Sequence, residues 1–298
     1  MLSDKVKNHL HLHFLVFIAG FTAILGQLIS ISAIPLVWYR MLFASVLVFL
    51  YVKWAKVKVQ VPLKSALKLS IAGIIIALHW VAFFGAIDAS NVSITLAMFS
   101  SGTFFASIIE PIVYKRRIIW YEIIFGLVVI GGVFIITQSE IAYLKGILLG
   151  VLAAFFSSLF AVLNGSFLKQ HTATTISFYE FLSGVVFLSV FILFFEGGFT
   201  KDVFNLKAMD FWYLFILASV CTAYAFIAAI RVMRYISPYT VVLTYNLEPI
   251  YGILIAIFLF PEKEKMSPNF YYGASIILVT VLLNAILKNR RKLKRKHT

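Results

Sequence analysis

The chain is poor in charged residues and in cysteine, and it lacks several motifs of soluble enzymes. Only 13% of its 298 residues are charged and 62% are hydrophobic, which is far too apolar for a soluble domain. The single cysteine, Cys221, excludes an intramolecular disulfide bond. The phosphate-binding motif G-x-x-x-x-G-K-[ST] is missing, as are H-E-x-x-H and G-x-S-x-G. We therefore expect a membrane protein that neither hydrolyses ATP nor acts as an enzyme.

Apolar runs bounded by charged residues predict an all-α membrane protein with ten transmembrane helices. We number these runs as spans one to ten and place them at residues 12–31, 35–52, 67–87, 92–114, 119–138, 144–165, 174–195, 211–230, 238–260 and 269–287. The first run is too long for a signal peptide and the second follows almost at once. We expect the first span to remain in the protein as an anchor.

The net charge of +14 is distributed unevenly over the loops between these spans. If the N-terminus lies inside, twenty of the 26 Lys and Arg residues fall in inner segments and five in outer segments. The positive-inside rule then predicts that both termini are cytoplasmic in a multi-pass protein of the plasma membrane, the inner membrane of a bacterium. This distribution explains the basic excess without nucleic acid, and we expect the basic tail at residues 289–298 to contact anionic lipids.

Two halves of the sequence resemble each other. Trp38, Tyr39 and Arg40 in span two correspond to Phe178, Tyr179 and Glu180 in span seven. This predicts one five-helix repeat at residues 1–141 and a second at residues 142–288. Because five is an odd number of spans, the second repeat must be inverted in the membrane, as in alternating-access transporters.

Arg40 and Glu180 occupy the same repeat position with opposite charge. Each lies about 9 Å inside its span, but from opposite faces of a hydrocarbon core about 30 Å thick. They would then lie roughly 12 Å apart along the membrane normal, too far for a direct ion pair. We expect each residue to act as a gate or coupling group at its own entrance.

Span nine carries a carboxylate near the bilayer midplane. Glu248 lies on the order of 15 Å from the start of its apolar run, and Pro249 deprives a carbonyl one turn earlier of its hydrogen-bond donor. Ionisable residues and broken helices at this depth are typical of transport pathways. The alternative is a structural Glu248 satisfied by neighbouring helices, with Pro249 giving only a kink.

Several polar or amphipathic side chains lie deep in the spans and could face a cavity: Gln27, His79, Trp80, Ser100, Ser101, Thr103, Asn164, Tyr179, Tyr224, Tyr245, Asn246 and Glu248. We predict substrate contacts from His79, Trp80, Ser100, Tyr224, Tyr245, Asn246 and Glu248, of which His79, Trp80, Asn246 and Glu248 are the strongest candidates. Ser, Thr and Asn also join packed helices, which is the structural alternative for most of them. We expect the 30 phenylalanines to face mainly lipid.

Three stretches together resemble the drug/metabolite transporter superfamily, specifically its EamA-type transporters. They are W-Y-R at residues 38–40; H-W-V-A-F-F-G-A-I at 79–87 continuing to Ser90, Asn91 and the pair Glu110-Pro111; and Y-N-L-E-P-I-Y-G at 245–252 with Glu262. The resemblance covers nearly the whole chain and implies two inverted five-helix units around a central cavity. Lys115 and Arg116 stand where the family pattern often has a Glu that would match Glu262, so the two ends are not equivalent.

Taken together, the sequence predicts a secondary transporter for a small metabolite such as an amino acid, working by alternating access. We expect export and coupling to protons, with Glu248 and His79 as the proton carriers. No cofactor is expected, and no metal, because His9, His11 and His13 have no nearby Cys or acidic cluster. An intramembrane enzyme and a non-transporting membrane sensor remain as alternatives.

Overall fold

A computed structural model describes residues 4–294, apart from the side chains of residues 4, 5, 202, 285 and 288–294. The predicted basic tail at residues 289–298 therefore falls outside the described side chains and, from residue 295, outside the described residues. Every regular element within the described range is helical. The α-helices are Asp4–Leu28, Ala33–Trp54, Leu63–Ala89, Val92–Phe99, Gly102–Tyr114, Trp120–Ser139, Leu144–Phe167, Ala173–Phe195, Lys201–Phe204, Ala208–Ala218, Ala225–Val232, Pro238–Tyr245, Glu248–Leu259 and Pro268–Lys294.

The helices follow the predicted spans. Within the described residues, nine helical segments are long and apolar enough to cross a membrane, and the tenth predicted span coincides with Pro268–Lys294. A helix is the structure expected of each run, because lipid offers no partner for an unpaired backbone amide or carbonyl. The all-α membrane architecture is thus confirmed.

Three spans are interrupted near their middles. Span four consists of Val92–Phe99 and Gly102–Tyr114, and span nine consists of Pro238–Tyr245 and Glu248–Leu259. Span eight contains a π-helical segment, Ser219–Tyr224, between two α-helices. Interruptions of this kind leave backbone groups without helical hydrogen bonds and change the direction of side chains. They are therefore common at polar functional sites inside a helix bundle.

The packing of the spans joins the two halves of the chain throughout. Span three packs along spans six and seven, and span seven also packs along span two. Span one packs along spans eight and nine, span four along spans six and nine, and span five along span ten. Spans five and ten approach closely where Gly132 meets Gly273, since a Cβ on Gly132 would lie 3.0 Å from the Gly273 carbonyl oxygen. No side chain larger than hydrogen fits there without displacing the backbone.

The loops after spans two, four, six and eight meet at one end of the bundle. There the Tyr239 amide donates to Glu110 Oε1 at 3.3 Å, and Lys169 Nζ lies 5.0 Å from the Tyr114 ring centroid. We call this the basic end. It carries Lys56, Lys58, Lys115, Arg116, Arg117, Lys169, Arg231 and Arg234.

The loops after spans one, three, five, seven and nine meet at the opposite end. The Asp210 carboxylate accepts from the Ser30 amide at 2.9 Å, which joins the first and fourth of these loops. Glu140 Oε1 accepts from the Ser267 amide at 2.9 Å, which joins the third and fifth. Carboxylates that bind backbone amides of neighbouring loops therefore link the loops at the opposite end.

Candidate functional site

A cavity of about 120 Å³ lies among spans one, two, three, four, six, eight and nine. It begins at mid-bundle, where Arg40, His79 and Glu248 line it, and extends to Met233, directly after the last helix of span eight. Met233 belongs to the basic end. The cavity therefore runs from the centre of the bundle toward one end only of the described structure.

The breaks in spans four and nine meet beside this cavity. Asn246 begins the break of span nine, and its Nδ2 donates a hydrogen bond to Thr103 Oγ1, just after the break at Ser100 and Ser101. The break expected near Pro249 is present. The break in span four was not anticipated, although two adjacent serines in mid-span could have signalled it.

Glu248 stands in the first turn of the second helix of span nine and is only 4% exposed. The first backbone amides of a helix have no partner within the helix, and the helix dipole favours a negative charge beside them. The break therefore offsets part of the cost of burying this carboxylate. Its side chain lines the cavity.

Arg40 is held by spans eight and three. Its Nε donates to Thr222 Oγ1 at 2.6 Å, and its guanidinium carbon lies 4.0 Å from the Trp80 ring centroid, a cation–π contact. Thr222 in turn donates to the Leu217 carbonyl at 2.6 Å inside the π-helical segment. Among the described residues, Arg40 Nη1 is buried without a hydrogen-bond partner. A donor of this kind is available to an anionic ligand group.

Arg40 and Glu248 bring charges of opposite sign to one cavity. Both line it, Arg40 with a basic side chain and Glu248 with an acidic one. Neither is neutralised by an ion pair closer than 4.0 Å among the described residues. A small molecule with one negative and one positive group would meet a complementary charge at each.

One ring nitrogen of His79 is hydrogen-bonded to the backbone. Its Nδ1 lies 2.9 Å from the Ala153 carbonyl oxygen. A carbonyl can only accept, so Nδ1 carries the hydrogen and Nε2 is left as an acceptor. The ring packs among Phe99 and Phe160, with centroid distances of 5.6 and 5.3 Å.

Aromatic rings form the apolar wall of the cavity. The ring centroids of Trp80 and Phe226 are 5.9 Å apart, and those of Phe226 and Phe160 are 5.7 Å apart. The phenylalanines were expected to face mainly lipid, yet Phe83, Phe99, Phe160 and Phe226 line this cavity. The spacing of His79 and Phe83 on one helical face was the available signal, because residues four apart on a helix are neighbours.

Glu180 lies in a second polar cluster. Its Oε2 accepts from Asn164 Nδ2 at 3.4 Å, and both residues are fully buried. Asn164 also lines the cavity. Arg40 contacts Thr222 and Trp80, whereas Glu180 contacts Asn164. Arg40 and Glu180 therefore lie in separate clusters, consistent with the depth estimate.

Two predicted contacts fall outside the cavity lining. Ser100 is buried, and its hydroxyl lies 3.3 Å from the Leu96 carbonyl oxygen of its own helix. Tyr224 is 46% exposed on the outside of the bundle, with its hydroxyl 3.0 Å from His11 Nε2. Asn164, already a candidate to face a cavity, lines it, and the structure adds Cys221 and Thr22 to the lining. Tyr245 and Asn246 line the cavity as expected.

Spans four and nine cap each other at both ends. At the opposite end, the buried Glu264 accepts from the amides of Val92 and Ser93, at 3.1 and 2.9 Å. At the basic end, Glu110 accepts from the Tyr239 amide and binds Arg116 Nη2 at 2.5 Å. Glu262, the residue that matches the family pattern, is exposed, and Glu264 makes these contacts.

A bundle of helices long and apolar enough to span a membrane defines a multi-pass integral membrane protein, here with broken spans around a polar, aromatic-walled cavity. Comparison with known proteins gives the family. The model of the EamA-like transporter family matches residues 9–138 and again residues 144–286, so the chain belongs to this family.

One curated protein and one solved structure are also similar to this chain. A protein of Schizosaccharomyces pombe named as an uncharacterized transporter is 25% identical over 295 residues, which cover 93% of this chain and 74% of that protein. A solved crystal structure, described only as that of a protein, superimposes with a TM-score of 0.68 at 12% identity, over 94% of this chain and 96% of that chain. The structural similarity shows a shared fold.

Proposed function

We propose that this protein is a secondary transporter that moves a small zwitterionic metabolite, such as an amino acid, by alternating access. The observation that carries the proposal is the pairing of Arg40 and Glu248 in one aromatic-walled cavity at the breaks of spans four and nine. A carboxylate group would bind the free Arg40 Nη1, and an ammonium group would bind Glu248. The aromatic wall would take an apolar side chain.

The two halves, residues 1–141 and 142–288, would act as inverted repeats. The observed packing is preserved when each span is exchanged for its counterpart in the other half. The contact of span three with span six then becomes the contact of span eight with span one, and the contact of span four with span six becomes that of span nine with span one. The mutual capping through Glu110 and Glu264 follows the same exchange. The family model matching twice, in residues 9–138 and 144–286, is a further argument for two units.

The basic end would face the cytoplasm. Its Lys and Arg residues follow the positive-inside rule, which supports two cytoplasmic termini. The protein would lie in the plasma membrane with its basic tail against anionic lipid. Because the cavity reaches Met233 at this end, the structure would represent an inward-facing state. Binding substrate from the cytoplasm in this state favours export.

Rocking of the two halves would close the basic end and open the other. The contacts that would have to part are those of Glu264 with Val92 and Ser93. Arg40 and Glu180 would gate the two halves of the pathway, and a proton gradient would supply the driving force. His79, Trp80, Tyr245 and Asn246 would shape the substrate site, while Ser100 and Tyr224 would support it from outside.

The test is flux in proteoliposomes, with labelled amino acids, nucleosides and sugars, each with and without an imposed pH gradient. We expect uptake or efflux of an amino acid that follows the gradient, and loss of it in Glu248→Gln. Conversion of the solute to another compound would favour an intramembrane enzyme instead. Silence across the panel, with solute unaltered, would favour a sensor and would contradict the proposal.

A further inference from the structure

Glu180 and Asn164 each leave one oxygen atom without a hydrogen-bond partner in the interior. Asn164 Nδ2 donates to Glu180 Oε2, but Glu180 Oε1 and Asn164 Oδ1 are both buried without a hydrogen-bond partner among the described residues. Both side chains are 0% exposed. Buried polar atoms are nearly always hydrogen-bonded, so two orphan acceptors on one bonded pair indicate a missing donor.

The surroundings offer no counter-charge to a Glu180 carboxylate. Spans two, three, six and eight lie against span seven. Of their charged or titratable side chains, Arg40 binds Thr222 and His79 binds the Ala153 carbonyl. Lys53, Lys64, Lys68, Lys145, Lys169 and Arg231 are exposed. An isolated buried carboxylate is costly unless it is paired or gains a proton.

A proton on Glu180 Oε1 supplies the missing donor. A carboxylic acid and a primary amide can form a ring with two hydrogen bonds, one from the amide N–H and one from the acid O–H. The first bond is present, and the second would join the two orphan atoms. Sodium fits less well, because it would need several more oxygen ligands than the two orphan oxygens of this pair.

We propose that Glu180 carries the proton that transport exchanges, held between its Oε1 and Asn164 Oδ1, with Asn164 as the positioning residue. This rests on the proposed transport function, and it replaces Glu248 and His79 as the carriers. Because Asn164 also lines the cavity, the pair adjoins it, and release of the proton leaves a carboxylate on Glu180. Glu248 and Arg40 then remain free for substrate.

The first experiment is Glu180→Gln in proteoliposomes, with Glu262→Gln as the exposed control. We expect Glu180→Gln to lose accumulation driven by a pH gradient while substrate counterflow continues, because glutamine forms the same two-bond pair but cannot release a proton. Glu262→Gln should behave as the wild type. Gradient-driven accumulation retained in Glu180→Gln, or accumulation that follows only a sodium gradient in the wild type, would overturn the proposal.

The second experiment needs no substrate and separates this proposal from the transport function. Infrared spectra of the purified wild type at neutral pH should contain a buried carboxylic acid C=O band that is missing in Glu180→Gln and present in Glu248→Gln. A band missing only in Glu248→Gln would assign the proton to Glu248 and refute our inference. If no solute is transported but the band belongs to Glu180, the transport proposal fails and the protonated pair stands.

Should Glu180→Gln fail to fold, Asn164 provides the decisive variant. Asn164→Leu keeps the acid but removes its partner, and we expect the pH midpoint of transport to shift, with Asn164→Gln restoring the wild-type profile. A role in packing alone would lower protein yield and thermal stability without moving that midpoint. An unshifted midpoint would overturn the proposal.

Discussion

Asn246 donates a hydrogen bond to Thr103 and thereby joins the break in span nine to the break in span four. The two residues are 143 positions apart in the chain. The bond crosses the bundle beside Glu248 and fixes the two half-helix ends against each other. The geometry of the cavity at these two breaks therefore depends on a contact between the two halves of the chain.

This bond should contribute measurably to stability. A double-mutant cycle with Thr103→Val and Asn246→Ala should give a coupling energy of about 0.6 kcal/mol, the average for hydrogen bonds between membrane helices. Reversible unfolding in mixed detergent would measure it. A coupling energy indistinguishable from zero would mean that the two breaks are held by packing alone.

Arg40 should select substrates that carry a carboxylate. Arg40→Gln removes the charged donor beside Trp80, and we expect the affinity for an amino acid to fall by about tenfold or more, since a hydrogen bond to a charged group contributes about 1.5–3 kcal/mol. Affinity for the corresponding decarboxylated amine should change little. Binding assays on Arg40→Gln and on the exposed Arg234→Gln, which should match the wild type, would measure the difference. Equal losses for acid and amine would contradict it.

Glu264 should stabilise the closed opposite end. Its two bonds to the start of span four are charge-assisted and buried, so Glu264→Gln should lose about 1–3 kcal/mol. Thermal unfolding in detergent, compared with Glu262→Gln two residues away, would measure the effect. Similar melting temperatures for the two variants would show that Glu264 does not hold this end.

Cys221 offers a direct test of the inward-facing state. It is the single cysteine of the chain and lines the cavity, so a membrane-impermeant thiol reagent has one target. We expect labelling from the cytoplasmic side of oriented vesicles, slowed by substrate and abolished in Cys221→Ser. Labelling from the outer side alone would show that either the assigned orientation or the assigned inward-facing state is wrong.

Much of the fold was predictable because hydropathy alone dictates helices in lipid. The apolar run from residue 238 and the position of Pro249 within it are enough to predict span nine and its break. The break at Ser100 and Ser101 was missed because serine is common in packed membrane helices and signals a break only weakly. Tyr224 was misplaced because depth in a span does not tell which side of a helix faces the cavity.

Hydropathy along the chain was enough to predict the apolar helices, their approximate bounds, the uneven charge of the loops and a carboxylate deep within span nine, because each depends on composition along one segment. Which polar side chains meet is set by tertiary packing. Thr222 against Arg40, Asn164 against Glu180 and Glu264 against the start of span four all join segments that are distant in the chain or differently oriented. Such contacts depend on helix rotation and crossing, which local hydropathy does not encode.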